Sequence, residues 1–472
     1  MHLSPQLALI LTLGFMGFLF RREIRRNPQV TRAMWIPVLW LTIIGSRFVS
    51  GWLDVFGFGS GRINVEDGSP LDAFIFGLLI LSGAYVLYQR QVRLSEIIQN
   101  NRWLTVFFVY CFLAILWSDF PFVAFKRWLK VLGHPIMVLV ILTEPDPEAA
   151  IVFLLKCCSY VWVPVSILFI KYFPQFGRGF DSWTGEGSNG GITTNKNLLG
   201  LDLFISGTFF FWYFLKVKEM EKGKERRDEI LLIAIFGCML AWLLHAAHSS
   251  TSLVSFFIAA GLMIFVGFRW VNPQNIGIYL VGAGIVAGVA EGVFGIHKVF
   301  LHMLGKSPTF TDRTLLWHNV LQMKIDPILG AGYESFWLGD HVKPGNWTGW
   351  SFVPNEAHNC YLETYLNLGL VGLGLLMGWF IANFQKAQRD LVNGRHWGKF
   401  RVGFLVATLF YNWTEAPFKA VDAVYFVFFL IAMDYPNPQL APAFESVEIE
   451  EPKIKSIFAG AQCQTTQQRV TI

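Results

Sequence analysis

Residues 149–170, AAIVFLLKCCSYVWVPVSILFI, hold a single charged side chain. A helix that crosses a bilayer needs roughly 20 mostly apolar residues, so this stretch is long enough to span the hydrocarbon by itself. Other apolar stretches lie near 6–20, 33–52, 71–88, 103–117, 128–142, 192–215, 230–247, 251–268, 276–294, 360–384, 401–412 and 419–434. The stretches at 6–20 and 401–412 are short, which leaves twelve spans or a re-entrant segment as alternatives to thirteen. Composition agrees: the 472 residues are 54% hydrophobic, 16% aromatic and 15% charged, against about 25% charged in soluble domains. Forty-five Phe and eighteen Trp suit lipid tails and the headgroup boundary. The expected fold is an all-α polytopic transmembrane helix bundle of about 12–13 spans. Ordinary soluble, disordered, collagen-like and disulfide-dense classes are excluded.

The net charge of +5 is too modest to imply a nucleic-acid partner, but its placement is informative. Connections 21–32, 89–102, 216–229, 269–275 and 385–401 carry 20 Lys and Arg; the alternate connections 53–70, 118–127, 171–191, 295–359 and 413–418 carry 10 in about twice the length. Basic loops stay cytoplasmic, so the first set is expected inside. Leu7–Phe20 precedes Arg21, Arg22, Arg25 and Arg26, the reverse of a cleavable signal's charge order, and reads as a retained anchor or first span. Residues 1–434 form the expected membrane domain, and 435–472, rich in Pro, Glu and Gln, an expected disordered cytoplasmic tail. The connection 295–359 is the one large outer loop, with an interfacial helix expected over Thr311–Asp326 from the spacing of Leu315, Leu316, Val320 and Met323. None of the six cysteines forms a C-x-x-C pair, and they read as small buried hydrophobes.

Four outer stretches concentrate polar and ionisable residues, which are costly near a membrane and mark function by default. In Phe176–Gly200, Arg178 sits among glycines, and Asn195, Lys196 and Asn197 open the next span. Backbone amides at such a helix start suit a phosphate; a flexible outer loop with a snorkelling lysine is the alternative. In Thr309–Trp317, Thr311 or Asp312 is placed to cap the interfacial helix. Arg313 in its first turn opposes the helix dipole and calls for an anionic partner. In Val353–Gly372, Asn355 after Pro354 is a good N-cap, which puts His358 third in the helix and Asn359 and Glu363 on one face. A histidine there stays neutral and can accept a proton, or is a hydrogen-bonded structural residue. In Asn412–Phe418, Glu415 either meets a sugar hydroxyl, balances an arginine or is solvated. His245 and His248 have no acidic or cysteine companion, which favours packing over metal binding. Walker, Rossmann, G-x-S-x-G and outer-loop D-x-D patterns are absent.

Together these stretches resemble the O-antigen ligase and polymerase superfamily of integral membrane glycosyltransferases, which includes exopolysaccharide polymerases of the succinoglycan type. The resemblance spans roughly residues 105–430. It rests on Asn195-Lys196-Asn197-Leu198-Leu199-Gly200, Ser249-Ser250-Thr251-Ser252, Asp312-Arg313-Thr314-Leu315-Leu316-Trp317, and His358-Asn359-Cys360-Tyr361-Leu362-Glu363 with Gly369 and Gly372. The family often has Gly where Asp312 stands. The resemblance implies a GT-C-like bundle in the bacterial inner membrane with its site on the periplasmic face. There a glycan would pass from an undecaprenyl diphosphate-linked oligosaccharide to an acceptor hydroxyl by a metal-independent, inverting reaction without a cofactor. By this similarity His358 helps deprotonate the acceptor, and Arg313 and Arg178 clamp the diphosphate. Lys196, Asn197, Asn359, Glu363 and Glu415 would contact diphosphate or sugar. The acceptor would be another glycan, as in a polymerase, or a lipid A core, as in a ligase; a flippase or transporter for lipid-linked sugar is a further reading. Membrane lipids and export or chain-length proteins are the other expected partners, and nucleic acid is not.

Overall fold

The computed structural model describes residues 3–58, 68–180, 185, 187–295, 313–347 and 353–436. Residues 1–435 form one compact unit, and the tail expected to be disordered lies outside the described residues from 437 onward. The molecule is an all-α helix bundle, and every apolar stretch read from the sequence falls on a helix or on two consecutive helices. Among the described residues six helices are long and apolar enough to cross a membrane: Pro70–Gln89, Pro147–Tyr172, Lys196–Glu219, Lys224–Ala247, the stretch Pro273–Val293 and Cys360–Val392. A seventh span arises if the bent pair Arg32–Ile44 and Val49–Val55, which meet at 57°, is counted as one. Other stretches are too short to cross alone, such as Arg102–Leu113, Ser250–Val266 and Ala423–Ala432. The chain is thus a multi-pass membrane protein with fewer full-length spans than its apolar stretches suggest, because several of those stretches are bent or cut short.

The stretch that opened the sequence reading is the centre of the bundle. Pro147–Tyr172 starts where the Asp146 side chain accepts the Ala149 amide at 3.0 Å, with Pro147 at the first helical position, where its missing N–H costs nothing. Its apolar window is 83% buried; that of the neighbouring Lys196–Glu219 is 78% buried. Peripheral helices contrast sharply: the window of Pro273–Val293 is only 6% buried, so its Ile, Val and Leu side chains face outward, as a lipid-facing helix requires. All ten residues of the short helix Ala423–Ala432 are buried.

Two breaks shape the region around His358. Between Ile44 and Val49 the chain turns at Gly45, where a Cβ would fall 2.4 Å from the Trp162 ring. The second break is at Gly369 inside Cys360–Val392, where φ is 63° and ψ −164°. Backbone of the segment 327–332 fills the gap: Ala331 N donates to Leu366 O at 2.9 Å and Gly332 N to Asn367 O at 3.0 Å, while Leu370 N and Val371 N donate to Pro327 O and Ile328 O at 3.0 and 3.2 Å. Groups orphaned by the broken helix are therefore paired by the loop, which a bundle in lipid demands.

Candidate functional site

Helix Cys360–Val392 begins one turn later than the sequence suggested. Asn359, not Asn355, is its N-cap; the Asn359 Oδ1 accepts the Leu362 amide at 3.0 Å. His358 therefore precedes the helix in a left-handed conformation, φ 49°, instead of occupying its third position. The cause is tertiary. Cys360 N donates to Glu415 O at 3.2 Å and Asn359 Nδ2 to Trp413 O at 3.2 Å, so the turn after helix His396–Thr414 fixes where the new helix starts.

That turn also completes a charged cluster. His358 Nδ1 lies 3.2 Å from Glu415 Oε2 and 3.1 Å from Glu356 Oε1. Glu415 Oε1 pairs with Arg313 Nη2 at 2.8 Å, and Arg313 Nη1 donates to Thr414 O. Glu356 in turn pairs with Lys419. The anionic partner expected for Arg313 is thus Glu415, and Glu415 balances an arginine, one of the roles left open for it. Arg313 opens the helix Arg313–Gln322, within the expected interfacial segment; Thr311 and Asp312 lie outside the described residues. Glu363 accepts from Trp337 Nε1 at 2.9 Å and from Ala357 N, tying the residue before His358 to the first turn of the helix.

The remaining expected residues sit elsewhere. Arg178 begins a short hairpin, Arg178–Phe180 against Gly187–Asn189, and its Nε donates to Ile170 O at 3.0 Å. Asn195 caps Lys196–Glu219 by accepting from Asn197 N and Leu198 N at 3.0 and 2.9 Å, which spends the Asn197 amide on the helix start. Gly200, at the end of that motif, meets the serine turn: a Cβ there would lie 2.5 Å from both Ser249 Oγ and Ser252 Oγ. His245 and His248 face each other with ring centroids 5.7 Å apart.

Glu356 and Lys419 were not singled out in the sequence, although Glu356 is two residues before His358 and Lys419 directly follows the Asn412–Phe418 turn. Glu356, His358 and Glu415 can bring three ligand atoms within 4.8 Å of one another, a donor set that suits a divalent cation. Each carboxylate already has a cation, Lys419 on Glu356 and Arg313 on Glu415, so the cluster is balanced by protein charge. Beside it lies a cavity of about 530 Å³, lined by Asn355, Cys360, Glu363 and Lys419 on the cluster's side.

Residues 231–377 match the O-antigen ligase family. Over that segment the chain is similar to the O-antigen ligase family. It is similar to the exopolysaccharide production protein ExoQ of Rhizobium meliloti (strain 1021), 26% identical over 287 residues, 58% of this chain and 62% of ExoQ. It is also similar to candidate polysaccharide ligases of Rickettsia conorii and Rickettsia felis, 28% and 27% identical over 169 residues, 34% of this chain and 39% of each relative. The chain thus spans less than two thirds of the length of these relatives. The superfamily match runs from Lys224–Ala247 into the first half of Cys360–Val392 and so includes Arg313, Glu356 and His358; Glu415 and Lys419 lie beyond it.

Proposed function

We propose that this protein transfers or polymerises glycan repeat units from an undecaprenyl diphosphate-linked donor to an acceptor hydroxyl, on the periplasmic face of the bacterial inner membrane. The observation that carries the reading is the Arg313–Glu415–His358–Glu356–Lys419 cluster in a chain with this family match. His358 Nδ1 is turned to the two carboxylates, which hold the imidazole in place as the base. His358 takes the hydroxyl proton as the oxygen forms its bond to the anomeric carbon; the bond from that carbon to the phosphate oxygen breaks, and the diphosphate leaves with the electron pair. A single displacement inverts the anomeric centre. Arg313, whose planar fork suits phosphate oxygens, answers the charge that develops on the leaving group. The protein's own cations balance the cluster's carboxylates, which supports a metal-independent reaction. Glu415, Asn359 and Glu363 hold His358 and its loop in place, while Arg178, Lys196 and Asn197 form an outer rim for the donor.

Polymerisation is taken as the first reading and ligation as the second; the similarity to an exopolysaccharide production protein covers more of this chain than that to the polysaccharide ligases. The test is purified protein with synthetic lipid-linked repeat units, with and without lipid A core, products being sized on a gel. Chains that grow without core indicate a polymerase, and transfer only onto core a ligase. His358→Ala and Arg313→Ala are expected to insert normally and lose at least about 100-fold in turnover. Near-normal turnover in either variant overturns the assigned site, and loss of activity with a chelator overturns metal independence.

A further inference from the structure

A second cavity, of about 340 Å³, lies between the helix Arg102–Leu113 and the C-terminal half of Cys360–Val392, roughly 35 Å along that helix from its start beside His358. The connections that meet there, 89–102 and 385–401, belong to the basic set expected inside. Its floor holds polar atoms that nothing among the described residues answers. Asn383 is 0% exposed with neither amide atom hydrogen-bonded, and the indole Nε1 of the buried Trp379 has no acceptor. The rim is basic, and no carboxylate lines the cavity among the described residues. Arg102 makes no hydrogen bond or ion pair there. Lys386 is partly matched: it donates to Asn101 Oδ1 and Ala432 O at 2.8 Å, and Asp434 lies 3.8 Å away. That one carboxylate also pairs with Arg389 and Arg401, each at 2.7 Å, so positive charge is left in excess.

Unpaired amide and indole groups are costly at membrane depth unless a bound molecule meets them. Asn383 lies about one helical turn, and Trp379 about two, further from the helix end than Lys386. The donors are therefore ordered in depth, with cations at the rim and neutral N–H groups below. A glycerophospholipid carries acceptors in the same order, a phosphodiester at its head and ester carbonyls beneath it. We propose that this cleft binds an anionic phospholipid. The phosphodiester sits on Arg102, with Lys386 and Arg389 beside it, and the ester carbonyls accept from Asn383 Nδ2 and Trp379 Nε1. A bridging water meets Asn383 Oδ1. The acyl chains run over Val106 and Val109, which are exposed on the helix Arg102–Leu113. Lipid held this way pins that helix to Cys360–Val392 at the end remote from His358.

Lipid binding to delipidated full-length protein in a neutral detergent tests it. The protein is titrated with phosphatidylglycerol, phosphatidylcholine or inorganic phosphate, with bound lipid counted by native mass spectrometry and the unfolding midpoint followed in parallel. The wild type is expected to retain phosphatidylglycerol and gain in midpoint, and to gain nothing from the other two at the same concentration. Arg102→Gln, which removes an exposed side chain without partners, is expected to weaken phosphatidylglycerol about fivefold, with Arg102→Lys keeping most of the affinity. Asn383→Leu is expected to raise the lipid-free midpoint, because an unpaired buried amide is gone, yet to lower phosphatidylglycerol retention. Equal retention of phosphatidylcholine, or unchanged phosphatidylglycerol affinity in either Arg102→Gln or Asn383→Leu, overturns the site. An equal midpoint gain with inorganic phosphate makes the cleft a soluble-phosphate site and overturns it as well.

Discussion

Burial by itself would push the Glu356 carboxyl upward, but Lys419 and His358, with Arg313 further off, outweigh it and hold the group below its ordinary 4.5. A carboxylate whose folded value is depressed adds stability that is fully present above its unfolded value and is lost as pH falls through the folded one. The window for Glu356 therefore opens near pH 4.5 and extends below it. Thermal unfolding in detergent between pH 3 and 7 is expected to show a fall in midpoint below pH 4.5 that is shallower in Glu356→Gln. The same variant is expected to start from a lower midpoint at pH 7, because Lys419 loses its ion pair. Equal acid slopes in the two proteins would mean that the pair is not formed. His358 was legible as a candidate because Asn-rich helix starts are conspicuous. Glu415 was legible as a candidate by itself, but its pairing with His358 was not, and Lys419 was not singled out, since both come from a different connection and only the fold joins them.

At the scale of the element, the helix start at Asn359 and the break at Gly369 decide the geometry around His358. Asn355 and Asn359 are equally good caps by residue type, so the sequence cannot choose between them; the hydrogen bonds from Cys360 N and Asn359 Nδ2 to the turn at 413–415 do. The apolar stretches were legible because burial and lipid exposure both require them. A break was not, since a glycine within an apolar run reads equally as tolerated helix or as a stop. Gly369 is the stronger case for a fixed role. Its φ of 63° is left-handed, and a Cβ would lie 2.1 Å from the Ile328 carbonyl oxygen. Gly369→Ala is expected to cost at least about 1–3 kcal/mol, read as a lowered unfolding midpoint, and to reduce glycan transfer as the Pro327–Gly332 segment is pushed off the helix. Gly374, five residues on, has open space around its Cβ position, so Gly374→Ala is the control and is expected to leave both readouts near wild type. Equal effects of the two substitutions would show that the break is not held by this contact.

Across the whole molecule, the first helix is tied to the bundle by charge as well as by packing. Lys156, the one charge in the run 149–170, is nearly fully buried and reaches Glu23 of the helix Pro5–Arg26 at 3.2 Å and Glu229 of Lys224–Ala247 at 3.1 Å. Tyr160 and Tyr213 add hydrogen bonds of 3.0 Å to Glu23 and Glu229, and Arg22 pairs with Glu229 at 2.6 Å. Three helices distant in sequence thus converge on one ammonium. In the sequence this lysine is indistinguishable from a tolerated charge in a span, because its partners lie 133 and 73 residues away. Removing one member of a buried pair leaves the others uncompensated, typically at a cost of about 3–5 kcal/mol. Lys156→Met is therefore expected to lower the unfolding midpoint strongly and to release the first helix, seen as faster proteolysis in the 21–32 connection. Replacing Lys156→Met together with Glu23→Gln leaves no bare carboxylate, because Glu229 keeps Arg22 and Arg26, and is expected to recover much of the loss. If the double variant is no more stable than Lys156→Met, the lysine acts by packing alone and the charge network does not hold the helix.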